Sequence, residues 1–308
     1  MGISNLMKAI AILFCASILL PLFAARADNL PPIADVHLHY HWAHEEVLTI
    51  DDAIKRLKKN NVVLAVISTT PPENALEFRK QAGNWVVPLF RPYLQPGQRH
   101  HWYRDPKVLA AARKGLSSGK YKGIGEFHMI SGLGINRKNR ILHGLLKLGQ
   151  EYDVPISIHT EASSHKYFLP LCRQYPRVRF LWAHAGGILS AKQVGALMQR
   201  CPNVWVEFSA RDNWRYLQTP ITDKQGSLLE DWRKLVLKYP KRFMVGSDPV
   251  YPVDNLYYWS GEDSGWDKLG DFLGYHRRWL KGLPRPVEQR LRLRNAQYFF
   301  RNKGRRIK

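Results

Sequence analysis

The stretch ADVHLH, residues 34–39, decides how the rest of this 308-residue sequence is interpreted. Its apolar and β-branched residues predict a strand, and side chains two residues apart in a strand point to the same side. His37 and His39 therefore project together. Two adjacent imidazoles at a strand end can supply two nitrogen ligands to a divalent transition metal. Such a pair also arises by coincidence, so the other strands have to supply the context.

Outward from this stretch, apolar runs alternate with amphipathic segments along the chain. Continuous apolar runs such as VVLAVIS, 62–68, are typical of parallel strands that are buried on both faces. The predicted strands are 34–39, 62–68, 85–90, 121–127, 154–159, 178–183, 204–208 and 243–246. The predicted helices are 48–60, 73–81, 106–118, 140–152, 167–175, 190–201, 227–238 and 287–301. This order predicts an α/β fold with a single (β/α)8 TIM barrel, whose chemistry lies at the C-terminal strand ends.

Two segments are predicted to lie outside the regular barrel. Lys8 precedes an apolar run at 9–25, and ARA at 25–27 has the small-x-small form of a signal-peptidase site. We therefore expect 1–27 to be a cleaved secretory signal and the mature protein to be periplasmic or secreted. An uncleaved membrane anchor is the alternative, although the apolar run is short for a membrane span. After the eighth strand, 254–283 is predicted to be a long excursion that could cover the mouth of the barrel.

The chain is strongly basic, with a formal net charge of +22 at pH 7. Loss of Lys8 and Arg26 with the signal leaves +20 on the single predicted domain, 28–308. Such a field attracts anions, including phosphate or carboxylate substrates and anionic lipid headgroups. The basic tail RNKGRRIK, 301–308, is too short to indicate a nucleic-acid element. We expect a small-molecule substrate, an anionic envelope surface as a further partner and no specific nucleic acid, with the oligomeric state left open.

Two cysteines remain after signal cleavage, Cys172 and Cys201. Each falls near the end of a predicted helix, in successive repeats, and the expected compartment is oxidising. A disulfide between neighbouring elements could therefore form. Spacing alone does not supply the required Cα separation.

Metal-competent side chains gather at the predicted strand ends. His159 ends strand five and His184 ends strand six, while Asp248 follows strand eight in GSDP. Glu126 lies near the end of strand four in GIGEFH, 123–128. Burial of so many ionisable groups together would be costly without a metal.

With these residues in place, the chain resembles the amidohydrolase superfamily, in particular the amidohydrolase-related (amidohydrolase-2) branch of metal-dependent hydrolases and decarboxylases. The resemblance rests on DVHLH at 35–39, SIHT at 157–160, AHAGG at 183–187, GSDP at 246–249 and NAQYF at 295–299. It implies that His37, His39 and Asp248 bind a divalent metal. His159 is implied as a ligand of the same metal or of a second one. His184 is implied as a second-metal ligand or as the residue that polarises the substrate.

Strand four differs between the branches of this superfamily. Dinuclear members place a bridging carboxylated Lys or a Glu there, and the resemblance to TatD-like hydrolases with a Gly-x-Gly-Glu strand gives that role to Glu126. A single-metal site, with Glu126 hydrogen-bonding nearby, is the alternative. The expected cofactor is Zn²⁺, as one or two ions.

A catalytic scheme follows from these roles. The metal lowers the pKa of bound water to about 7, Asp248 takes the proton and passes it to the leaving group, and His184 hydrogen-bonds the oxygen that becomes negative. Arg91, at the end of strand three, and Arg211, after strand seven, are expected to bind an anionic substrate group, with His128 as a further substrate-binding residue. Both arginines could equally be packing or rim residues.

The leading functional prediction is a metal-dependent hydrolase that acts on an anionic amide, lactone or ester-type substrate. A phosphoester hydrolase, favoured by Glu126 and the positive charge, and a metal-dependent decarboxylase are the alternatives. A catalytically silent protein that binds an envelope polyanion belongs to a different class. The complete ligand set argues against that last interpretation.

Overall fold

The computed structural model describes residues 30–129, 135–160, 163–215, 219–251 and 265–301. The predicted signal at 1–27, residues 302–308 of the predicted tail and residues 254–264 of the predicted excursion lie outside the described residues. Cleavage and secretion therefore stay predictions.

Eight short strands form the barrel, and neighbouring strands are parallel. They are β1 (Ile33–His39), β2 (Val62–Ser68), β3 (Val86–Leu89), β4 (Ile124–His128), β5 (Ile156–His159), β6 (Phe180–Trp182), β7 (Val204–Glu207) and β8 (Phe243–Met244). Strands β1–β3 form one sheet and β4–β8 a second, each in chain order. A parallel bridge between Phe90 and Ile124 joins β3 to β4. The Val36 amide donates to the Val245 carbonyl at 3.1 Å, which joins β1 to the chain after β8. The predicted (β/α)8 barrel is confirmed.

The helices follow the strands as the apolar periodicity predicts. They are α1 (Ile50–Lys59), α2 (Glu73–Ala82), α3 (Lys107–Ser117), α4 (Arg140–Glu151), α5 (His165–Gln174), α6 (Ala191–Arg200), α7 (Glu230–Lys238), α8 (Leu269–Leu280), α9 (Arg285–Gln289) and α10 (Asn295–Phe299). Side-chain N-caps fix the start of several of them, because a cap oxygen accepts a backbone N–H that has no partner within the helix. Thr49 caps α1, Asn139 caps α4 and Ser190 caps α6. Within the described residues, no helix is both long and apolar enough to cross a bilayer.

The predicted excursion at 254–283 contains helix α8 in its second half, which the sequence did not predict. Leu269, Phe272, Leu273 and Leu280 are buried at helical spacing, so this helix packs one apolar stripe on the barrel. Just before it, the Trp266 indole donates to the His39 carbonyl at 2.8 Å. Two glycines within the helix lower its helix propensity, which is why no helix was predicted there.

The closing segment is also less regular than the predicted helix at 287–301. A π-helical turn, Arg290–Arg294, separates α9 from α10. The Asn295 amide donates to the carbonyls of Pro240 and Phe243, at 2.9 and 2.8 Å, where the chain enters β8. The closing segment therefore lies at the end of the barrel where the strands begin.

The disulfide that the sequence left open is present in the structure. Cys172 and Cys201 are bonded, with their Cα atoms 5.9 Å apart, within the usual range for a disulfide. The bond connects the ends of α5 and α6, two successive repeats of the barrel.

Candidate metal centre

At the end of β1, the Nε2 atoms of His37 and His39 face each other. Nδ1 of His37 lies 2.9 Å from Glu207 Oε1, and Nδ1 of His39 lies 3.1 Å from the Ser68 carbonyl oxygen. A carboxylate and a carbonyl only accept hydrogen bonds, so in the neutral rings Nδ1 carries the proton and Nε2 keeps its lone pair. The two Nε2 atoms are 3.1 Å apart. Two facing lone pairs at this distance fit a cation held between them.

Two carboxylates complete this arrangement, which we call the first ligand group: His37, His39, Glu126 and Asp248. Glu126 Oε2 lies 3.5 and 3.3 Å from the Nε2 atoms of His37 and His39. Asp248 Oδ1 lies at the same two distances, is buried and has no hydrogen-bond donor among the described residues. Burial alone would lower the pKa of His37, but Asp248, Glu126 and Glu207 hold it well above its usual value. The group therefore attracts positive charge.

Glu126 also belongs to a second ligand group, formed with His159 and His184. Its Oε1 atom lies 2.7 Å from His159 Nδ1 and 3.7 Å from His184 Nε2, and these two nitrogens are 3.2 Å apart. Nδ1 of His184 donates to Ser209, whose carbonyl and hydroxyl oxygens lie at 3.2 and 2.8 Å. Nε2 of neutral His184 therefore carries no proton and keeps its lone pair as well. Each oxygen of Glu126 faces a different set of imidazole nitrogens.

Close backbone packing brings the strand ends to this centre. A Cβ on Gly125 would lie 2.2 Å from the Ser157 carbonyl oxygen, and one on Gly246 would lie 2.7 Å from His37 Cβ. His184 and Asp248 both have positive φ, at 54° and 52°. Non-glycine residues in this region are strained and cluster at functional sites.

Sequence reasoning missed Glu207, which ends β7 and is fully buried. It accepts hydrogen bonds from His37 Nδ1 and from the backbone N–H of His184, at 2.9 and 2.7 Å, and so connects the two ligand groups. Burial would raise the pKa of Glu207, but the interactions with His37 and His184 together lower it to about 2. The signal was an acid in the otherwise apolar run VWVEF, 204–208.

A second missed acid, Asp35, lies two residues before His37 on β1. It accepts the backbone N–H groups of His37 and Ser247, at 3.2 and 2.9 Å. Burial raises the pKa of Asp35 to about 7, against the lowering effect of the hydrogen bonds from Ser247. Asp35 therefore ties the start of the His37 strand to the segment before Asp248.

Two of the predicted substrate-binding residues flank the centre. The buried Arg91 guanidinium donates to the Glu126 carbonyl at 3.1 Å and to His41 Nε2 at 3.0 Å, and lies 3.5 Å from Glu126 Oε2. His128 Nδ1 is 2.8 Å from the Tyr93 hydroxyl. The His128 ring lies 4.2 Å, between centroids, from the ring of a second-group ligand, His159.

Arg211, the third predicted substrate-binding residue, contacts the backbone of a loop. Its buried guanidinium donates to the carbonyls of Gly187 and Leu189, the second at 3.1 Å, and lies 5.0 Å from the Trp232 ring. These contacts brace the loop after β6 and favour the packing alternative that the sequence left open, while the substrate-binding role stays a prediction. The orientation of an arginine toward backbone carbonyls depends on distant residues and is not encoded in local spacing.

The donor set fits a divalent metal. Imidazole nitrogens and carboxylate oxygens are the ligands that catalytic zinc sites use. Three overlapping sets have ligand atoms within 4.8 Å of one another: His37, His39 and Asp248; His37, Glu126 and His184; and Glu126, His128 and His159. The unpartnered Asp248 oxygen and the facing lone pairs agree with this chemistry.

The sequence of the chain matches the Amidohydrolase family model over residues 34–301. The chain belongs to the amidohydrolase family. It is therefore an enzyme, and its histidines and carboxylates form sites able to hold the divalent metal typical of this family. No curated protein sequence matches the chain significantly.

Solved structures of the same fold include 4-oxalomesaconate hydratase from Rhodopseudomonas palustris, with 12% identity, coverage of 87% of this chain and 95% of that one, and a TM-score of 0.54. Dihydroorotase from Campylobacter jejuni has 13% identity, 88% and 83% coverage, and a TM-score of 0.53. The phosphotriesterase homology protein from Escherichia coli, complexed with phosphate in its active site, has 13% identity, 88% and 100% coverage, and a TM-score of 0.53. At these identities the likeness shows the fold alone.

Proposed function

We propose that this amidohydrolase is a hydrolase that uses a metal-activated water on an amide, lactone or ester-type small molecule that carries negative charge. The observation that carries the proposal is the carboxylate of Glu126, which presents Oε2 to His37 and His39 and Oε1 to His159. Zn²⁺ is the expected metal, because imidazole and carboxylate ligands suit it.

A divalent metal at these ligands supplies Lewis acidity and lowers the pKa of water to about 7. Asp248 has one oxygen in the first ligand group, while the other, Oδ2, lies 3.9 Å from His184 Nε2. Burial would raise the pKa of Asp248, but His37, His39 and His184 together lower it and keep Asp248 ionised. Asp248 can therefore accept the proton of the attacking water and return it to the leaving group.

The tautomer of His184 supports a ligand role over substrate polarisation. Its Nδ1 proton is committed to Ser209, so the neutral ring has no proton on Nε2 to offer to a substrate oxygen. Arg91 is the buried cation beside the centre, 3.5 Å from Glu126 Oε2. We therefore assign to Arg91 the stabilisation of negative charge on the substrate.

A phosphoester hydrolase is the second candidate. Two ligand groups that share Glu126 fit two metal ions, and paired ions stabilise the attacking and leaving oxygens in phosphoryl transfer. The formal net charge of +22 also favours anionic substrates.

Substrate screening in ¹⁸O-labelled water tests the proposal. The Zn²⁺- or Mn²⁺-loaded enzyme is assayed on carboxylated amides, lactones and esters and on phosphoesters. We expect one labelled oxygen in the product, and at least about a hundredfold loss of turnover in Glu126→Gln. The exposed Glu151→Gln is the matched control. Turnover that survives chelation, or a product without label, would contradict the hydrolase assignment.

A further inference from the structure

The positive charge of this protein is concentrated at one end of the barrel. In a (β/α)8 barrel the helices run antiparallel to the strands, so the helix C-termini and the loops that enter the strands lie opposite the catalytic end. We call this end the basal face. Its segments are 56–61, 79–85, 114–123, 148–155, 171–179, 197–203, 235–242 and the closing segment 277–301. Together they contain 23 Lys and Arg residues but only three Asp and Glu residues.

The few acids of the basal face are already neutralised. Each contacts an arginine: Glu151 with Arg113, Asp153 with Arg179, and Glu288 with Arg292. The exposed cations surround the end of the barrel: Lys58, Lys59, Lys120, Arg177, Arg200, Lys238, Lys241, Arg294 and Arg301. Acids occupy the first turns of α1, α2, α7 and α8, at the opposite end. The molecule is therefore electrically polar along the barrel axis.

Cations arranged around a whole end fit a flat anionic surface better than a linear polymer. A nucleic acid is bound by a stripe or groove that follows its backbone. By contrast, a bilayer with anionic headgroups contacts every cation near its plane at once. Tyr298 and Leu237 are exposed on the same face, at 58% and 38%, and an exposed tyrosine suits the headgroup level.

The positions of the two ends of the described chain also support an anionic bilayer as the partner. The Leu30 carbonyl accepts a hydrogen bond from Asn61, which leads into β2, and Arg301 follows α10. Both ends therefore lie at the basal face. The sequence beyond Arg301 adds four more cations.

We propose that the basal face binds an anionic lipid bilayer and so turns the metal centre away from the membrane, toward water. The proposal does not depend on the reaction that the centre catalyses. Each Lys or Arg near an anionic bilayer strengthens binding severalfold, and the effect weakens within a Debye length. Binding is therefore expected to fall with added salt.

Vesicle co-sedimentation of the full chain tests this proposal with two matched triple variants. The basal variant is Lys58→Gln, Lys241→Gln and Arg294→Gln. The control variant removes the same charge at the opposite end, through Lys107→Gln, Lys166→Gln and Lys192→Gln, which lie in exposed first turns of α3, α5 and α6. Thermal melting checks that both variants are folded.

We expect wild type to bind phosphatidylcholine vesicles only when they contain phosphatidylglycerol. The basal variant should bind about a hundredfold more weakly, and the control variant within about threefold of wild type. Equal losses in the two variants would show a response to total charge alone and overturn the proposal. Tight binding to duplex DNA without binding to vesicles would assign the face to nucleic acid and overturn it as well.

Discussion

Both the backbone and the side chain of Asp248 are held in place at the candidate metal centre. Its amide donates to the His37 carbonyl at 2.8 Å, which holds the residue at a φ of 52°. Its Oδ1 atom is buried beside the Nε2 atoms of His37 and His39 and has no hydrogen-bond partner in the part of the chain that the structure describes. A strained backbone and an unpartnered oxygen at one residue indicate a catalytic rather than a packing role.

Asp248→Asn is expected to keep much of the bound metal and to lose most activity. The amide oxygen can still coordinate, but an amide cannot accept a proton from water, a step that general-base catalysis accelerates at least about a hundredfold. Metal content and turnover on a substrate from the screen are measured together. The exposed Asp231→Asn is the control. Unchanged turnover in a folded, metal-replete Asp248→Asn enzyme would exclude Asp248 as the base.

Glu207→Gln is expected to weaken metal binding about tenfold to a hundredfold. Glu207 fixes the tautomer of His37 and accepts the His184 amide, so the loss of its charge affects ligands of both groups. Competition with a chromophoric zinc chelator measures the affinity, and Glu151→Gln provides the exposed control. An affinity equal to that of wild type would mean that Glu207 serves packing alone.

The sequence predicted most members of the two ligand groups because their signals are local. His37 and His39 are two residues apart on one strand, and Glu126, His159 and His184 each lie at the end of a recognisable apolar run. Glu207 was missed because its hydrogen bond to His37 depends on how close β7 comes to β1 in the barrel, which no local pattern reveals. The choice between the two roles of Arg211 was left open for the same reason, since its acceptors are carbonyls of a distant loop.

At the scale of elements, helix α8 fixes the segment before Asp248, the proposed general base. The His276 Nε2–H donates to the Gly246 carbonyl at 2.8 Å, and His276 Nδ1 accepts from the Trp279 indole at 3.1 Å. Both ring nitrogens are therefore satisfied only when the imidazole is neutral. Burial, with a smaller contribution from Arg215, lowers the pKa of His276 to about 4 despite the opposing effect of Asp212 and Glu207.

This buried histidine predicts a loss of stability in mild acid. An unfolded histidine has a pKa of about 6.5, so the unfolded state binds more protons and the stabilisation is lost as pH falls toward about 4. The pKa difference corresponds to about 3 kcal/mol. Urea unfolding across this range should show a shallower pH dependence in His276→Gln, while the exposed His100→Gln serves as control. Equal slopes in His276→Gln and wild type would refute this role.

Elements with strong periodicity were predicted well, and those that depend on packing were not. Strand β2 has the predicted bounds, and α2 differs from its prediction by one residue, because apolar runs and helix caps are local features. Helix α8 was missed because its stripe includes Gly270 and Gly274, which lower helix propensity. The π turn within the closing helix is a response to packing against the strand entries and has no sequence signature of its own.

At the scale of the whole molecule, the composition predicted a basic protein but not where the charge lies. Only the barrel reveals that the helix C-termini and strand entries share one end, so cations scattered along the sequence meet on the basal face. The metal centre occupies the other end, where the strands end. The fold thus separates the chemistry from the surface proposed to bind lipid.

The number of metal ions per chain tests the central claim, a carboxylate-bridged metal centre, most directly. Elemental analysis of the protein, purified without chelator and incubated with Zn²⁺ or Mn²⁺, measures it. The arrangement of the two ligand groups around Glu126 predicts about two ions per chain, reduced to about one or fewer in Glu126→Gln. About one ion in wild type would contradict the bridging role of Glu126. No bound metal at all would contradict the metal centre itself.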